Sequence, residues 1–202
     1  MKTLLIFLLC FVFSINLNAE VRALAFAGSS RCESVNKKLV LEAANIAKSM
    51  GASVTYIDLK EYPIPLYDAD LEATNGMPEN AKYIRGLMAN SQLIMIASPD
   101  YNGSVSALLK NVLDWASRGE KGGASRDAFK GKKFALMSAS PSASGGAKGL
   151  IHLKTIIETI GGTVIAKQVV VPRAHQAFNN ESKLIDQRLC VDLHRLVYCG
   201  MN

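Results

Sequence analysis

The chain has 202 residues, and 49% of them are apolar. That composition predicts one domain with a real core and excludes a disordered chain. The formal charge is +6, yet no basic run exceeds a pair (Lys37-Lys38, Lys132-Lys133) and no aromatics interleave with them, which argues against nucleic acid as a partner.

Met1-Lys2-Thr3 makes a positive start, residues 4–13 (LLIFLLCFVF) are apolar, and Leu17-Asn18-Ala19 ends in a small residue. This is the layout of a secretory signal peptide cleaved after Ala19. The apolar run is shorter than the roughly 20 residues a bilayer span takes; an uncleaved anchor is the lesser alternative. Residues 20–202 are therefore expected to work as an exported domain, periplasmic or secreted, with no stable membrane span after cleavage. Cys10 leaves with the leader. Cys32, Cys190 and Cys199 match no zinc-ligand spacing. Cys190 and Cys199 pair only if the chain folds back between them, and buried free thiols are the preferred reading.

Short β-branched runs then alternate with amphipathic segments. Residues 21–27 (VRALAFA) read as a buried strand. From Asn36 a helix follows, with Leu39, Val40, Ala43, Ile46 and Met50 on one face and Gly51 as its stop. Residues 53–59 form a second strand, and a loop with Pro63 and Pro65 runs to about residue 77. Pro78 opens the next helix, whose inner face is Ala81, Ile84, Leu87 and Met88. Residues 92–98 (QLIMIAS) are the third strand, and a helix follows from about Ser104 to Ser117. A glycine-rich charged loop spans 118–131. A fourth strand (132–140), a helix (146–160), a fifth strand (163–171) and a last helix (181–198) complete the chain.

Five strands separated by helices imply parallel pairing with right-handed crossovers. The economical arrangement is an α/β three-layer sandwich with strand order 2-1-3-4-5. In that order a crevice opens beyond the carboxyl ends of strands 1 and 3, where the loops that follow them meet.

The first of those loops, residues 27–36 (AGSSRCESVN), is crowded with donors. Gly28 permits a sharp turn and a close approach to a ligand. Ser29, Ser34 and Asn36 are short donors, and Arg31 is a permanent forked cation. The loop feeds a helix amino end, where free N–H groups and the helix dipole favour negative charge. Together they predict a phosphate site, each charge-assisted bond contributing about 1.5–3 kcal/mol. Neither G-x-x-x-x-G-K-[ST] nor G-x-G-x-x-G is present, which removes the common nucleotide loops. The plainer alternative is that Ser34 or Asn36 only caps the helix; it leaves Arg31 and Ser29 unexplained. In the second loop Pro99, Asn102 and Gly103 force a turn, Ser104 or Ser106 caps the next helix, and Tyr101 stands at the crevice mouth, where it can flank a flat ring; read alone, the loop fits an ordinary turn with a surface tyrosine equally well.

The two loops together resemble the NADPH-dependent FMN reductases of the flavodoxin-like superfamily. That family's first loop reads G-S-x-R-x-x-S-x-N, met here by Gly28, Ser29, Arg31, Ser34 and Asn36. Its second reads P-[ED]-Y-N-x-S and then L-K-N-x-[IVL]-D-W, met by Pro99, Asp100, Tyr101, Asn102 and Ser104, then Leu109, Lys110, Asn111, Asp114 and Trp115. The likeness runs from about residue 21 to 165. It implies a flavodoxin-like fold and FMN as cofactor, with NADPH or NADH giving hydride and a quinone-like or other small acceptor taking the electrons. It implies that Ser29, Arg31, Ser34, the Val35 N–H and Asn36 bind the FMN phosphate, and that Pro99, Asp100, Tyr101 and Asn102 border the ring. By position, Gly145 and Gly146 in the third loop (SPSASGG, 140–146) allow close approach to the ring's other edge, although that loop departs from the family's wording. Lys110, Asn111, Asp114 and Trp115 read as structural or as subunit interface, and a homodimer or homotetramer is implied. His152, His175 and His194 are scattered, and no catalytic acid, base or metal ligand is assigned. The export signal leaves a second reading open: a flavin-binding electron carrier, or a binding protein, without nicotinamide turnover.

Overall fold

The computed structural model describes residues 20–202; the expected leader, residues 1–19, lies outside them. The first strand, β1 (Arg22–Ala27), alternates small and large side chains. Ala23, Ala25 and Ala27 face one side of the sheet, and Leu24 and Phe26 face the other. The small side lets α1 (Val35–Ser49) lie close, through Leu39, Val40, Ala43 and Ala47. The large side meets α3 (Glu79–Ala89), α4 (Ala107–Ala116) and α5 (Ala147–Thr159). The last helix, α6 (Gln187–Met201), joins α1 through Leu193, Leu196 and Val197. The central strands are thus covered on both faces, which is why β3 (Leu93–Ala97) is buried and apolar at every position.

With β2 (Ser53–Ile57), β4 (Lys133–Ala139), β5 (Thr163–Val164) and β6 (Val169–Val171), the order is β2-β1-β3-β4-β5, all parallel, with β6 also pairing β4. The expected order and layers are therefore present. The expected fifth strand is broken in two. Between its halves β4 advances by Ala135 and Leu136, while the outer chain advances from Ile165 to Gln168. The extra residues leave the ladder as an edge bulge.

Local capping accounts for the other differences. Inside the expected 60–77 loop a short helix, α2 (Ala69–Asn75), forms because the Asp68 carboxylate accepts from the Asp70 and Leu71 N–H groups at 2.7 and 3.2 Å. The last helix starts at Gln187, not at 181, because Asp186 caps it the same way, accepting from Arg188 and Leu189. α4 starts at Ala107, and its cap is Ser106, accepting from Leu109 at 3.1 Å. Cys190 and Cys199 lie on one helix, both free, too far apart along its axis to bond. Cys199 is exposed, so the expectation of buried thiols fails there. Among the described residues no helix is long and apolar enough to cross a membrane.

The second motif's helix is an anchor. The Asn111 carboxamide accepts from Tyr67 N–H at 2.8 Å and donates to Pro65 O at 3.0 Å, and the fully buried Trp115 donates to the same oxygen at 2.9 Å. The proline segment is pinned to α4 by these bonds. Lys110 and Asp114 form an exposed pair along the helix at 2.6 Å. Glu72 and Arg118 pair at 2.8 Å beside it, and the Arg118 bond holds the Glu72 carboxyl below the usual carboxylate range despite its burial.

Candidate functional site: a cleft at the carboxyl edge of the sheet

Ala27, Ala97 and Met137 are in register across β1, β3 and β4, so three strands end near one level. A cavity of about 280 Å³ opens there. The first loop brings Ser29, Arg31, Ser34, Val35 and Asn36 to it, together with Glu33. The turn after β3 brings Pro99, Asp100 and Tyr101. Ala139, Ser140 and Pro141 form the far wall, with His175 from the turn after β6. Larger hollows exist, such as one of about 480 Å³ between α1, α6 and residues 181–183. None of its lining residues comes from a strand end or a helix start, and size alone does not make it the site.

Among the described residues, no side chain caps the amino end of α1. Ser34 sits at the N-cap, nearly buried, yet its side chain makes no capping bond. No acidic residue occupies the first turn. The Val35 and Asn36 N–H groups fall where a helix supplies no acceptor of its own. Arg31 is exposed at the rim, and its N–H reaches the Ser29 hydroxyl at 3.4 Å. Behind the loop, Lys37 pairs with Asp58 at 2.6 Å, and Lys60 donates to the Cys32 sulfur at 3.1 Å, which raises the Lys60 pKa.

Asn36 is differently employed from the other donors. Its amide nitrogen donates to Ala139 O and its carboxamide oxygen accepts from Ala139 N–H, both at 2.9 Å. Ser98 N–H is the last β3 group to bond β4, at Met137 O. The Asn36 side chain supplies the next rung. It holds α1 against β4, and its side chain faces the protein while its N–H stays in the cleft wall.

Gly28 also serves another purpose than expected. A Cβ there would come within 2.8 Å of the Leu109 Cβ, so the constraint is packing against α4. The Gly28 carbonyl accepts from the Ser106 hydroxyl at 2.6 Å, binding the first loop to the second.

Tyr101 and Ser104 exchange backbone bonds at 2.9 and 3.1 Å around Asn102 and Gly103, whose φ values are 56° and 80°. That tight turn lifts Tyr101, 49% exposed, to the mouth of the cleft. Asn102 builds the turn and does not line the cavity. The Asp100 carboxylate accepts from Gly103 N–H at 2.8 Å and Gly149 N–H at 3.0 Å, so it caps α5 from another loop. Gly145 and Gly146 do not line the cavity either. A Cβ on Gly145 would lie 2.8 Å from Pro172 N, and one on Gly146 would collide with the Ser138 hydroxyl. These glycines let the third loop fold against β6 and β4, and the loop reaches the cleft through Ser140 and Pro141. Their φ values, 60° and 93°, suit glycine.

Glu33 and His175 also line the cavity, although neither belongs to a motif and His175 was expected to have no role. The signal for His175 was available: it follows the last strand as the other cleft residues follow theirs.

An open parallel sheet with a donor-rich helix start and an aromatic turn on adjacent strands is the arrangement by which α/β proteins form ligand clefts at the carboxyl edge of the sheet. The chain belongs to the NADPH-dependent FMN reductase family, whose pattern it matches over residues 21–176. It is 33% identical over 172 residues to an NADPH:quinone oxidoreductase of Arabidopsis thaliana, covering 83% of each chain. It is 29% identical over 170 residues to an NAD(P)H-dependent FMN reductase of Pseudomonas aeruginosa, covering 84% of this chain and 87% of that one. In fold it is similar to FerB, a flavoenzyme NAD(P)H:(acceptor) oxidoreductase from Paracoccus denitrificans, with a TM-score of 0.74 at 24% identity over 90% of this chain and 95% of that one.

Proposed function

We propose that the chain is an NAD(P)H-dependent, FMN-containing oxidoreductase that takes hydride from NADPH or NADH and passes electrons to a quinone-like or other small acceptor. The observation that carries this reading is the uncommitted amino end of α1, with Ser34 and Arg31, in one cavity with the Tyr101 turn. Family membership and the reductase names of its relatives agree with it.

The residues fit FMN. Ser29, Arg31, Ser34 and the Val35 and Asn36 N–H groups are the donors for its phosphate. The Asn36 side chain fixes those donors by tying α1 to Ala139. Pro99, Asp100 and Tyr101 border the ring, Asn102 builds the turn that carries Tyr101, Ser140 and Pro141 close the ring's other side, and Gly145 and Gly146 shape the loop that carries them. Bound FMN supplies a ring that accepts a hydride and releases electrons to the acceptor. The protein's share is to bind, orient and leave one side of the cleft open through Tyr101.

The test is a titration of the purified protein with FMN, followed by NADPH without oxygen. Yellow protein that NADPH bleaches, and that a quinone recolours, is expected. Yellow protein that neither NADPH nor NADH bleaches would refute the enzyme. Protein that takes up no flavin would refute the site.

The reading extends to export and assembly. The apolar residues 4–13 and the small residue Ala19 support a cleaved leader and a periplasmic or secreted domain. Amino-terminal sequencing of the exported protein should then begin at Glu20; a start at Met1 on membrane-held protein points to the anchor instead. Ile151, 62% exposed beside a hollow lined by Val105, Ala107 and Ile156, supports a homodimer or homotetramer across α4 and α5. Sedimentation should give twice or four times the chain mass, and a monomer would count against it.

A further inference from the structure

We propose that the outer face shared by α1 and α6 is a docking surface for an anionic phospholipid bilayer. The inference uses no residue of the cleft and stands apart from the flavin reading. In sequence the basic residues are scattered, and the fold gathers several of them. Both helices cover the same side of the sheet, with Leu39, Val40 and Ala43 of α1 and Leu193, Leu196 and Val197 of α6 in one core cluster. The groove of about 480 Å³ between them takes Lys38 and Leu41 from α1 and His194 from α6. Two stripes remain on the outside. On α1, Lys38, Leu41, Asn45 and Lys48 recur at helical spacing, and on α6 Arg188, Val191, Arg195 and Tyr198 do the same. Each stripe is about 15 Å long, and each sets apolar side chains between cations. Val191 and Tyr198 are 53% and 60% exposed, and Ile185 adds a third exposed apolar side chain just before α6.

Charge selects the occupant. Among the described residues Lys38, Lys48, Arg188 and Arg195 form no salt bridge. The carboxylates near them are engaged. Glu42 accepts from Leu184 N–H at 2.9 Å, and Asp186 caps α6. Asp192 pairs with Lys167 at 2.9 Å, and Glu181 with Lys183 at 3.5 Å. With those two lysines the face carries six cations against four carboxylates. The opposite layer is built otherwise: Lys82, Lys110 and Lys154 each pair with a carboxylate of their own helix. An anionic bilayer matches the α1 and α6 face on two counts. Lipid phosphates attract the free cations, and the boundary below the headgroups accepts Leu41, Val191 and the ring of Tyr198. A nucleic acid would use the cations alone and leave the apolar side chains in water.

The test is co-sedimentation of the full chain with vesicles of phosphatidylcholine alone and of phosphatidylcholine with about one quarter phosphatidylglycerol. Binding to the anionic vesicles and not to the neutral ones is expected, with release in about 0.5 M salt. One Lys or Arg near such a surface is worth about fivefold in affinity, so Arg188→Gln with Arg195→Gln should weaken binding by about 25-fold. Val191→Ser with Tyr198→Ser keeps every cation and should weaken it by about tenfold through the apolar area lost. Both double variants should unfold in urea as the wild type does, read from the buried Trp115. Equal binding to both kinds of vesicle, unmoved by either pair of substitutions, is what the apolar residues 4–13 alone would give, and it would overturn the inference. Absence of binding to either vesicle would do the same. Capture of a random-sequence DNA duplex in place of vesicles, indifferent to Val191→Ser and Tyr198→Ser, would make the face a nucleic-acid surface instead. An oligomer that the same pair splits into single chains on sedimentation would make it a contact between copies.

Discussion

Asn36→Ala is the most informative single substitution in this structure. The side chain is 3% exposed and occupies both the N–H and the C=O of Ala139, itself 2% exposed. Truncation removes two hydrogen bonds and leaves two buried backbone groups without partners. Each orphan costs about 1–3 kcal/mol, so the expected loss is about 2–6 kcal/mol out of a typical 5–15. In a domain of this size that corresponds to a fall in Tm of about 4–24 °C. The single tryptophan, Trp115, is fully buried on α4 and reports unfolding in urea by fluorescence. Asn36→Asp separates the roles. It keeps an acceptor for Ala139 N–H but sets a carboxylate beside the phosphate donors, so FMN affinity should fall further than stability does. A stability of Asn36→Ala within about 0.5 kcal/mol of wild type, the range of ordinary surface changes, would refute the account of this residue as a rung of the sheet.

Arg31→Ala should weaken FMN binding by about tenfold or more, the worth of one charge-assisted contact; a change within about twofold, measured by fluorescence titration, would remove Arg31 from the phosphate site. Glu72→Gln should lower stability at pH 7 by about 1–3 kcal/mol through the lost Arg118 pair. The Glu72 carboxyl is held low on folding. Its contribution is therefore complete above the ordinary glutamate value, about 4.3, and disappears as pH falls through the lower folded value. The gap between wild type and variant, read from urea melts, should close in acid; a gap unchanged from pH 7 to pH 3 would contradict the assignment.

The sheet order and the first two cleft loops were legible because periodicity and turn chemistry are local. Leu39, Val40, Ala43 and Ile46 mark a helix face, and Asn102-Gly103 marks a tight turn, whatever surrounds them. Three kinds of information were not local. The break between β5 and β6 depends on how far β4 advances alongside. The duties of Gly28 and Gly146 depend on Leu109 and Ser138, neighbours from other elements. The roles of Asn36 and Asp100 depend on bonds to Ala139 and Gly149, far along the chain. A polar residue in a binding motif can serve the ligand or the scaffold, and the motif alone does not distinguish them. α2 and the start of α6 were in principle readable, since Asp68 and Asp186 are ordinary capping residues.

The alanines of β1 have a consequence at some distance from themselves. Because Ala23, Ala25 and Ala27 leave so little height, α1 packs close to the sheet, and its first turn is tied to the end of β4 through Asn36. A larger side chain at Ala25 would act as a shim under the whole helix. It would be felt as strain in the interior and, half a helix length away, as a set of N–H groups lifted off their target. Interior fit and ligand grip are in this respect one mechanical variable, set by the smallest side chains in the protein.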